Sequence, residues 1–447
     1  MCDTGEQSTL LASTPSSSTS GCLSNDESSD DHLLPSSLAA EELQLALNKE
    51  ATEEELQKAI NRCKDLVLES SQCSLERKWL VRHLIELRLR LQECREAMVD
   101  PQHPRNKSSG VSRRTVRGHH LNLQPLLRST SSKYCDHCTG TIWSVVQAWY
   151  ECEDCGYACH HKCLSQIIRE CAHVVASERG GYELEICPEE GLSAQKYLCA
   201  ECGSPLPLTV PKGISCLGRL LFPDKEWTEA RRCDYSGLYY CTACHWGSSA
   251  VVPARVVHNW DLTPQPVSQA SLQQLRVTAN RPLLNLEKLN PRLFSFVHEL
   301  SLVRRLRQEL YGMRKYLSVC RNANEDHLLW KYVEAPHLIE TPELYSLQDL
   351  VDTHSGELPS KLHTTIDVFT KHIKVNCEIC RGRGHICEIC SNDEVLFPFD
   401  AAAVICNECN AVLHKSCFNR KNNRCPKCVR LEHRKEQQLD EIDKIEE

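Results

Sequence analysis

Residues 152–163 read CEDCGYACHHKC and residues 406–417 read CNECNAVLHKSC. Both are C-x2-C-x4-H-x2-C, and both run on for seven residues to a further cysteine, Cys171 or Cys425. The chain has 447 residues and 29 cysteines, with its CxxC pairs between Cys135 and Cys428. Two chemistries use cysteine this densely. A disulfide framework needs an oxidising compartment, and a zinc site does not. The first residues, MCDTGEQSTLLASTPSSSTSGC, have no basic n-region and no apolar core, so no signal peptide is expected. No run of about 18 apolar residues occurs, so no membrane span is expected. CxxC pairs interleaved with histidine in such a chain read as zinc ligands.

The remaining composition sets the domain plan. Residues 1–38 are rich in Ser, Thr and Asp and poor in large apolar groups, so they are expected to be disordered. Residues 39–98 form a helical region. Trp79, Leu80, Leu84, Leu87 and Leu91 recur at helical spacing within Leu75–Met98, giving one or two helices that pack against the rest of the protein. Residues 99–118 read as a basic linker within an acid-free stretch, 101–133, that carries Arg105, Lys107, Arg113, Arg114, Arg117, Arg128 and Lys133. It reads as solvated, with peripheral association with an anionic membrane as the alternative. From Leu289 to Leu317 apolar residues recur every three or four positions, and Asn290-Pro291 supplies a helix start. One long amphipathic helix of about eight turns is expected there. Residues 431–447 form a charged tail. The net charge is −8, from 52 basic and 60 acidic residues, which argues against a general nucleic-acid binder.

The first cluster is Cys135-x2-Cys138-x13-Cys152-x2-Cys155-x4-His160-x2-Cys163-x7-Cys171. Structural zinc takes four tetrahedral ligands, so seven ligands need an eighth, and HHLNL upstream offers His119 or His120. This string resembles the phorbol-ester/diacylglycerol-type finger of protein kinase C, over residues 119–171. By that resemblance His119, Cys152, Cys155 and Cys171 hold one zinc, and Cys135, Cys138, His160 and Cys163 the other. The family's His-x-Phe corresponds to His119-x-Leu121. In lipid-binding members a Pro, a Gly and a Gln-Gly pair shape a groove. Ser132, Ser144, Ala148 and Trp149 stand at those positions, with Gln147 one place off, so the finger is atypical and diacylglycerol is not an expected ligand. Trp143, Val145, Trp149 and Tyr150 offer an apolar surface for packing or for a partner.

Cys199-x2-Cys202 and Cys241-x2-Cys244 give a zinc ribbon with one four-cysteine site, with Cys233 and His245 as alternative ligands. The third cluster is Cys387-x2-Cys390-x15-Cys406-x2-Cys409-x4-His414-x2-Cys417-x7-Cys425-x2-Cys428. That order allows a cross-brace: Cys387, Cys390, His414 and Cys417 share one ion, and Cys406, Cys409, Cys425 and Cys428 the other. The x4 gap turns the chain so that neighbouring pairs serve different ions, which is why one spacing occurs twice. Cys377 and Cys380 remain, to be completed by His385 or a more distant ligand. The total is five or six Zn2+ ions.

Ligand order alone also fits a plant-homeodomain chromatin reader or a phosphoinositide-binding finger. The reader has a longer gap before its last pair, where FNRKNNR stands here. The phosphoinositide finger has a basic patch where AAAVIC stands. The stretches YLCAECGSPL, RRCDYSGLYYCTACHW, AVVPARVVHNWD, CEICRGRGHICEIC, VLFPFD and NECNAVLHKSCF resemble the Rubicon-homology family, over residues 185–430. The resemblance implies a mixed α fold with small zinc-stabilised modules: N-terminal helices, the protein kinase C-type zinc finger, and a Rubicon-homology domain with a helical core, a zinc ribbon and a cross-brace zinc finger. It further implies a cytoplasmic adaptor, peripheral on late endosomes and lysosomes. The implied partners are a GTP-bound late-endosomal Rab GTPase and a pleckstrin-homology/RUN-domain lysosomal adaptor, and the implied role is lysosome positioning and endolysosomal or autophagic traffic.

An enzyme is not expected. Catalytic zinc keeps an open position, whereas these ligands come in closed fours. H-E-x-x-H, G-x-x-x-x-G-K-[ST] and G-x-S-x-G are all absent. A RING-like ubiquitin ligase is the enzymatic alternative, but its histidine falls at a different place in the ligand order.

Overall fold

Thr52 starts the first helix with a capping box: its side chain accepts from Glu55 N, and the Glu55 carboxylate accepts from Thr52 N. The computed structural model describes residues 51–101, 103–106, 113–125, 133–144, 146–206, 229–390 and 392–446. The Ser-rich segment 1–38, the start of the helical region at 39–50, and Ser132 and Val145 of the finger lie outside the described residues. Contacts divide the chain into two units, Met1–Arg95 and Glu96–Glu447. In the first, α1 (Glu53–Glu69) and α2 (Leu75–Val99) bury Leu56, Ile60 and Cys63 against Leu80, Leu87 and Leu91. The helical pattern therefore resolves into two helices. Arg77 Nη1 closes the turn between them by donating to the carbonyls of Val67 (2.8 Å) and Ser70 (3.1 Å).

The second unit begins with a finger. Four antiparallel strands lie in the order β1 (Arg113–Val116), β2 (His119–Leu123), β3 (Trp149–Cys152), β4 (Ala158–His160). Part of the stretch read as a linker is thus a sheet strand. The β1–β2 turn is two residues long, and Arg117 (φ 45°) and Gly118 (φ 76°) both take the left-handed conformation such a hairpin requires. After Cys171, α3 (Ala172–Arg179) packs against α4 (Gln269–Thr278).

The helical core is built on α5 (His298–Leu317), which buries Leu300, Val303, Leu306, Leu310, Met313 and Leu317. It packs on α6 (Leu347–Ser355) and α7 (Glu357–Lys371). The expected start at Asn290 does not occur. Asn290 ends a short helix, Leu286–Leu289, and its side-chain amide donates to Val257 O at 2.9 Å. Val297 is extended (φ −106°, ψ 103°), so the long helix starts at His298. Arg307 is fully buried on α5, with Nη2 donating to the carbonyls of His337 (2.9 Å), Thr341 (3.0 Å) and Leu344 (2.8 Å). Its guanidinium lies 4.3 Å from the Tyr345 ring centre. One side chain thereby ties together three carbonyls of the segment 337–344, two of which also accept from the backbone, His337 O from Thr341 N and Thr341 O from Leu344 N.

The last finger has a two-stranded hairpin, β5 (Ala403–Ile405) with β6 (Val412–His414). The VLFPFD stretch ties it to the helical core. Phe397 and Phe399 stack 5.3 Å apart, and both meet the edge of Tyr316 on α5, at 5.5 and 5.6 Å. The chain then forms α8 (Pro426–Glu446).

Candidate metal centres

The strand register sets the first ligand group. Leu121 pairs with Cys152 across β2 and β3, which brings His119 to the knuckle at Cys155, with Nδ1 and Sγ 3.3 Å apart. His119, Cys152, Cys155 and Cys171 form one buried group. The other ring nitrogen, Nε2, lies 3.2 Å from Arg169 O, a donor bond that fixes the ring with Nδ1 inward. The neighbouring His120 turns away and pairs with Asp154 at 2.7 Å. Of the two histidines left open by the sequence, His119 is therefore the one placed among the cysteines. Cys135, Cys138, His160 and Cys163 form the second group, in which His160 Nδ1 lies 3.4 Å from Cys138 and 3.9 Å from Cys163.

Cys199, Cys202, Cys241 and Cys244 meet in the ribbon, with Cys202 and Cys241 sulfurs 3.6 Å apart. Neither alternative ligand joins them. Cys233 is buried with its sulfur 3.3 Å from Ser271 Oγ, and His245 Nδ1 accepts from Gly247 N at 3.2 Å. In the last finger Cys387, Cys390, His414 and Cys417 form one group, with Cys390 Sγ 3.3 Å from His414 Nδ1. Beside it Cys406 lies 3.5 Å from Cys428, and Cys409 lies 3.4 Å from Cys425. The amides of the knuckle turn, from Cys409 and Glu408, hold the Cys406 thiol down to about 7. Burial pushes Cys387 up, but the amides of His414, Cys390 and Ile389 outweigh it and bring the thiol to about 6.

Cys377 and Cys380 find partners that the sequence did not name. Cys320, just past the end of α5, and His372, at the end of α7, complete a group with them. Cys320 Sγ lies 3.6 Å from Cys377 Sγ and 3.5 Å from His372 Nε2. His385 is not in this group; its backbone pairs with Leu396. Cys320 and His372 are 52 residues apart, and the local sequence signal is a histidine five residues before the CxxC pair.

The donor sets fit a tetrahedral metal ion. Sulfur ligands at about 2.3 Å from zinc are separated from one another by roughly 3.8 Å along the tetrahedral edge. The donor pairs named above span 3.3–3.9 Å. A disulfide would need about 2.05 Å, and these thiols are all free. Each group offers four protein ligands and so could hold a metal with no position left for a substrate.

Of the two uses expected for the apolar residues of the first finger, packing is the one seen for Trp149 and Tyr150. Trp149 and Tyr150 are buried in the finger itself. Lys133, which precedes the first knuckle, lies over the Trp149 ring at 5.0 Å and pairs with Glu151 at 2.6 Å.

The Rubicon Homology Domain pattern matches residues 231–433, and that of the phorbol esters/diacylglycerol binding domain (C1 domain) matches 124–174. The Drosophila melanogaster protein called differentially expressed in FDCP 8 homolog is 44% identical over 425 residues, which cover 93% of this chain and 82% of that protein. The chain belongs to the differentially expressed in FDCP 8 homolog family. The Caenorhabditis elegans protein of the same name is 36% identical over 74% of this chain and 66% of its own length. Human pleckstrin homology domain-containing family M member 3 is 37% identical over 250 residues, 56% of this chain and 30% of that protein. The family thus combines a C1-type finger with a Rubicon-homology domain. Among the described residues, no helix is long and apolar enough to cross a membrane.

Proposed function

We propose that this chain is a non-enzymatic zinc-bound adaptor, peripheral on late endosomes and lysosomes. It binds a GTP-bound late-endosomal Rab and a lysosomal adaptor of the pleckstrin-homology/RUN class, and so regulates lysosome positioning and endolysosomal traffic. The observation that carries the non-enzymatic part is the closed four-ligand donor set, repeated in each group. Zinc is the ion this Cys/His chemistry selects in a tetrahedral site. The Rab reading rests on the Rubicon-homology match.

GTP-bound Rab proteins present ordered switch loops. A surface that reads them has to be rigid, and metal supplies that rigidity to small modules with little core of their own. The surface we favour is the cleft of about 350 Å3 on the helical core, lined by Leu310, Tyr332, Val333, Leu338, Leu358 and Leu362. Half-exposed Trp330 stands beside it in the chain. The test is capture of a late-endosomal Rab, loaded with GTP or GDP, by the full chain and by its Cys417→Ser and Tyr332→Glu variants. Capture of the GTP form alone, lost in both variants, is expected. Equal capture of both nucleotide forms, or full binding by Cys417→Ser, contradicts the reading.

A further inference from the structure

The metal group of Cys320, His372, Cys377 and Cys380 is ringed by side chains that its ligand role does not use. Val319 precedes Cys320, Val375 stands two residues before Cys377, and Ile379 lies between Cys377 and Cys380. The four donor atoms lie within 4.8 Å of one another, so these three side chains spring from neighbouring points on one rigid centre. They are 59, 65 and 53% exposed. Single exposed aliphatic residues are ordinary, but three gathered around one centre form an apolar patch that marks a contact surface.

Cations border this patch. Residues 371–386 carry Lys371, Lys374, Arg381 and Arg383 against one acid, Glu378. Residues 315–326 add Lys315 and Arg321 against Glu325 and Asp326. Lys374 pairs with Asp400 and Arg321 with Glu325, so Lys315, Lys371, Arg381 and Arg383 stand outside those pairs, against Glu378 and Asp326. The loop after Cys380 folds back on the knuckle. Arg381 N donates to Cys377 O at 3.0 Å, Gly382 N to Glu378 O at 2.8 Å and Arg383 N to Cys380 O at 3.2 Å. Both arginines are exposed, and these bonds keep them beside Ile379. The Arg383 guanidinium lies 5.8 Å from the Tyr316 ring centre, at the end of α5 that leads into Val319. Protein interfaces draw on aromatic anchors, and the exposed apolar residues here are all aliphatic. Aliphatic side chains set among cations match a bilayer with an anionic surface instead. The side chains enter the acyl boundary, and the cations meet the lipid phosphates and carboxylates.

We propose that this patch is a direct membrane contact, through which the chain binds the surface of an anionic bilayer. The proposal deepens the peripheral reading above and rests on it only for the choice of membrane. The test is co-sedimentation of the zinc-loaded full chain with vesicles of phosphatidylcholine, alone or with about 30% phosphatidylserine, in about 0.1 M and about 0.5 M salt. The vesicles carry no Rab, so a failed Rab capture leaves this result standing, and a failed sedimentation leaves the Rab capture standing. Wild type is expected to bind the anionic vesicles, less in high salt, and to leave the neutral ones. Arg381→Ala with Arg383→Ala is expected to weaken that binding about thirtyfold, the attraction of two cations to an anionic surface. Val375→Ser with Ile379→Ser is expected to weaken it about tenfold and to leave its salt dependence in place. Zinc content is the control for folding. The two arginines are not ligands, so their variant decides the matter if the serine variant loses its ion. Wild type that leaves the anionic vesicles in solution overturns the proposal, and the patch then belongs to a protein partner. Equal binding to neutral and anionic vesicles, or full binding by the arginine variant with its zinc intact, overturns it as well.

Discussion

Arg169 of the first finger and Glu201 of the ribbon form a buried ion pair, with Nε and Oε1 2.6 Å apart. Glu201 lies between the knuckle cysteines Cys199 and Cys202, and Arg169 lies two residues before Cys171. The same guanidinium donates to Asp136 Oδ1 at 3.1 Å and Gln273 Oε1 at 3.2 Å, and Gln273 donates in turn to Asp136 at 3.1 Å. Burial raises the Asp136 carboxyl above its ordinary range even with Arg169 beside it. The finger and the Rubicon-homology region are therefore locked by one polar network into a single body.

Arg169→Ala leaves two buried carboxylates without their cation, so it is expected to destabilise this body by about 3–5 kcal/mol. Thermal or denaturant unfolding of the zinc-loaded full chain checks this. A change within the range of an ordinary surface substitution, about 0.5 kcal/mol, would show that the two modules are independent.

Cys320→Ser and His372→Ala are each expected to lower the metal content by one ion per chain, whereas His385→Ala leaves it unchanged. Metal analysis after gel filtration distinguishes the three. Loss of an ion from the His385 variant would assign the Cys377/Cys380 group to the wrong histidine.

The finger is expected not to bind phorbol ester in the full chain, because Ser144 and Trp149 stand where the lipid-binding members carry glycines. Trp149→Ala removes a buried indole and is expected to cost about 3–5 kcal/mol of stability. Saturable phorbol binding by the wild-type chain is the result that contradicts this.

Arg307→Ala removes the guanidinium that bonds the carbonyls of His337, Thr341 and Leu344 and leaves its buried place empty, and is expected to cost about 3 kcal/mol. Arg307→Lys recovers only part of this, since an ammonium cannot reproduce the planar fork. Unfolding curves of both variants test the order wild type, lysine, alanine.

What the sequence made legible follows a physical divide. Ligands such as Cys406, Cys409, His414 and Cys417 are tied by short local turns, so their order and spacing carry the geometry. The hydrophobic period announced α5, whose stripe is buried as a core stripe should be. Cys320 and His372 meet only because α5 and α7 pack together, and no local pattern marks them. The helix start at Asn290 misled because a good capping residue is also a good turn residue, and there the side chain bonds Val257 instead. No local pattern sets Arg169 apart. Its role depends on Glu201 and Gln273, which reach it only in the folded chain.

The central claim is that metal ions in closed fours hold this chain's fingers together. Metal analysis of the purified full chain tests it most directly, with unfolding followed under chelator and under reducing agent alone. The account predicts six zinc ions, one for each four-ligand group described above. It also predicts collapse of the fingers on chelation, since zinc contributes about 10–16 kcal/mol per site in finger peptides, and no change with reductant. Two or fewer ions, or a fold that survives chelation but melts with reductant, would contradict it.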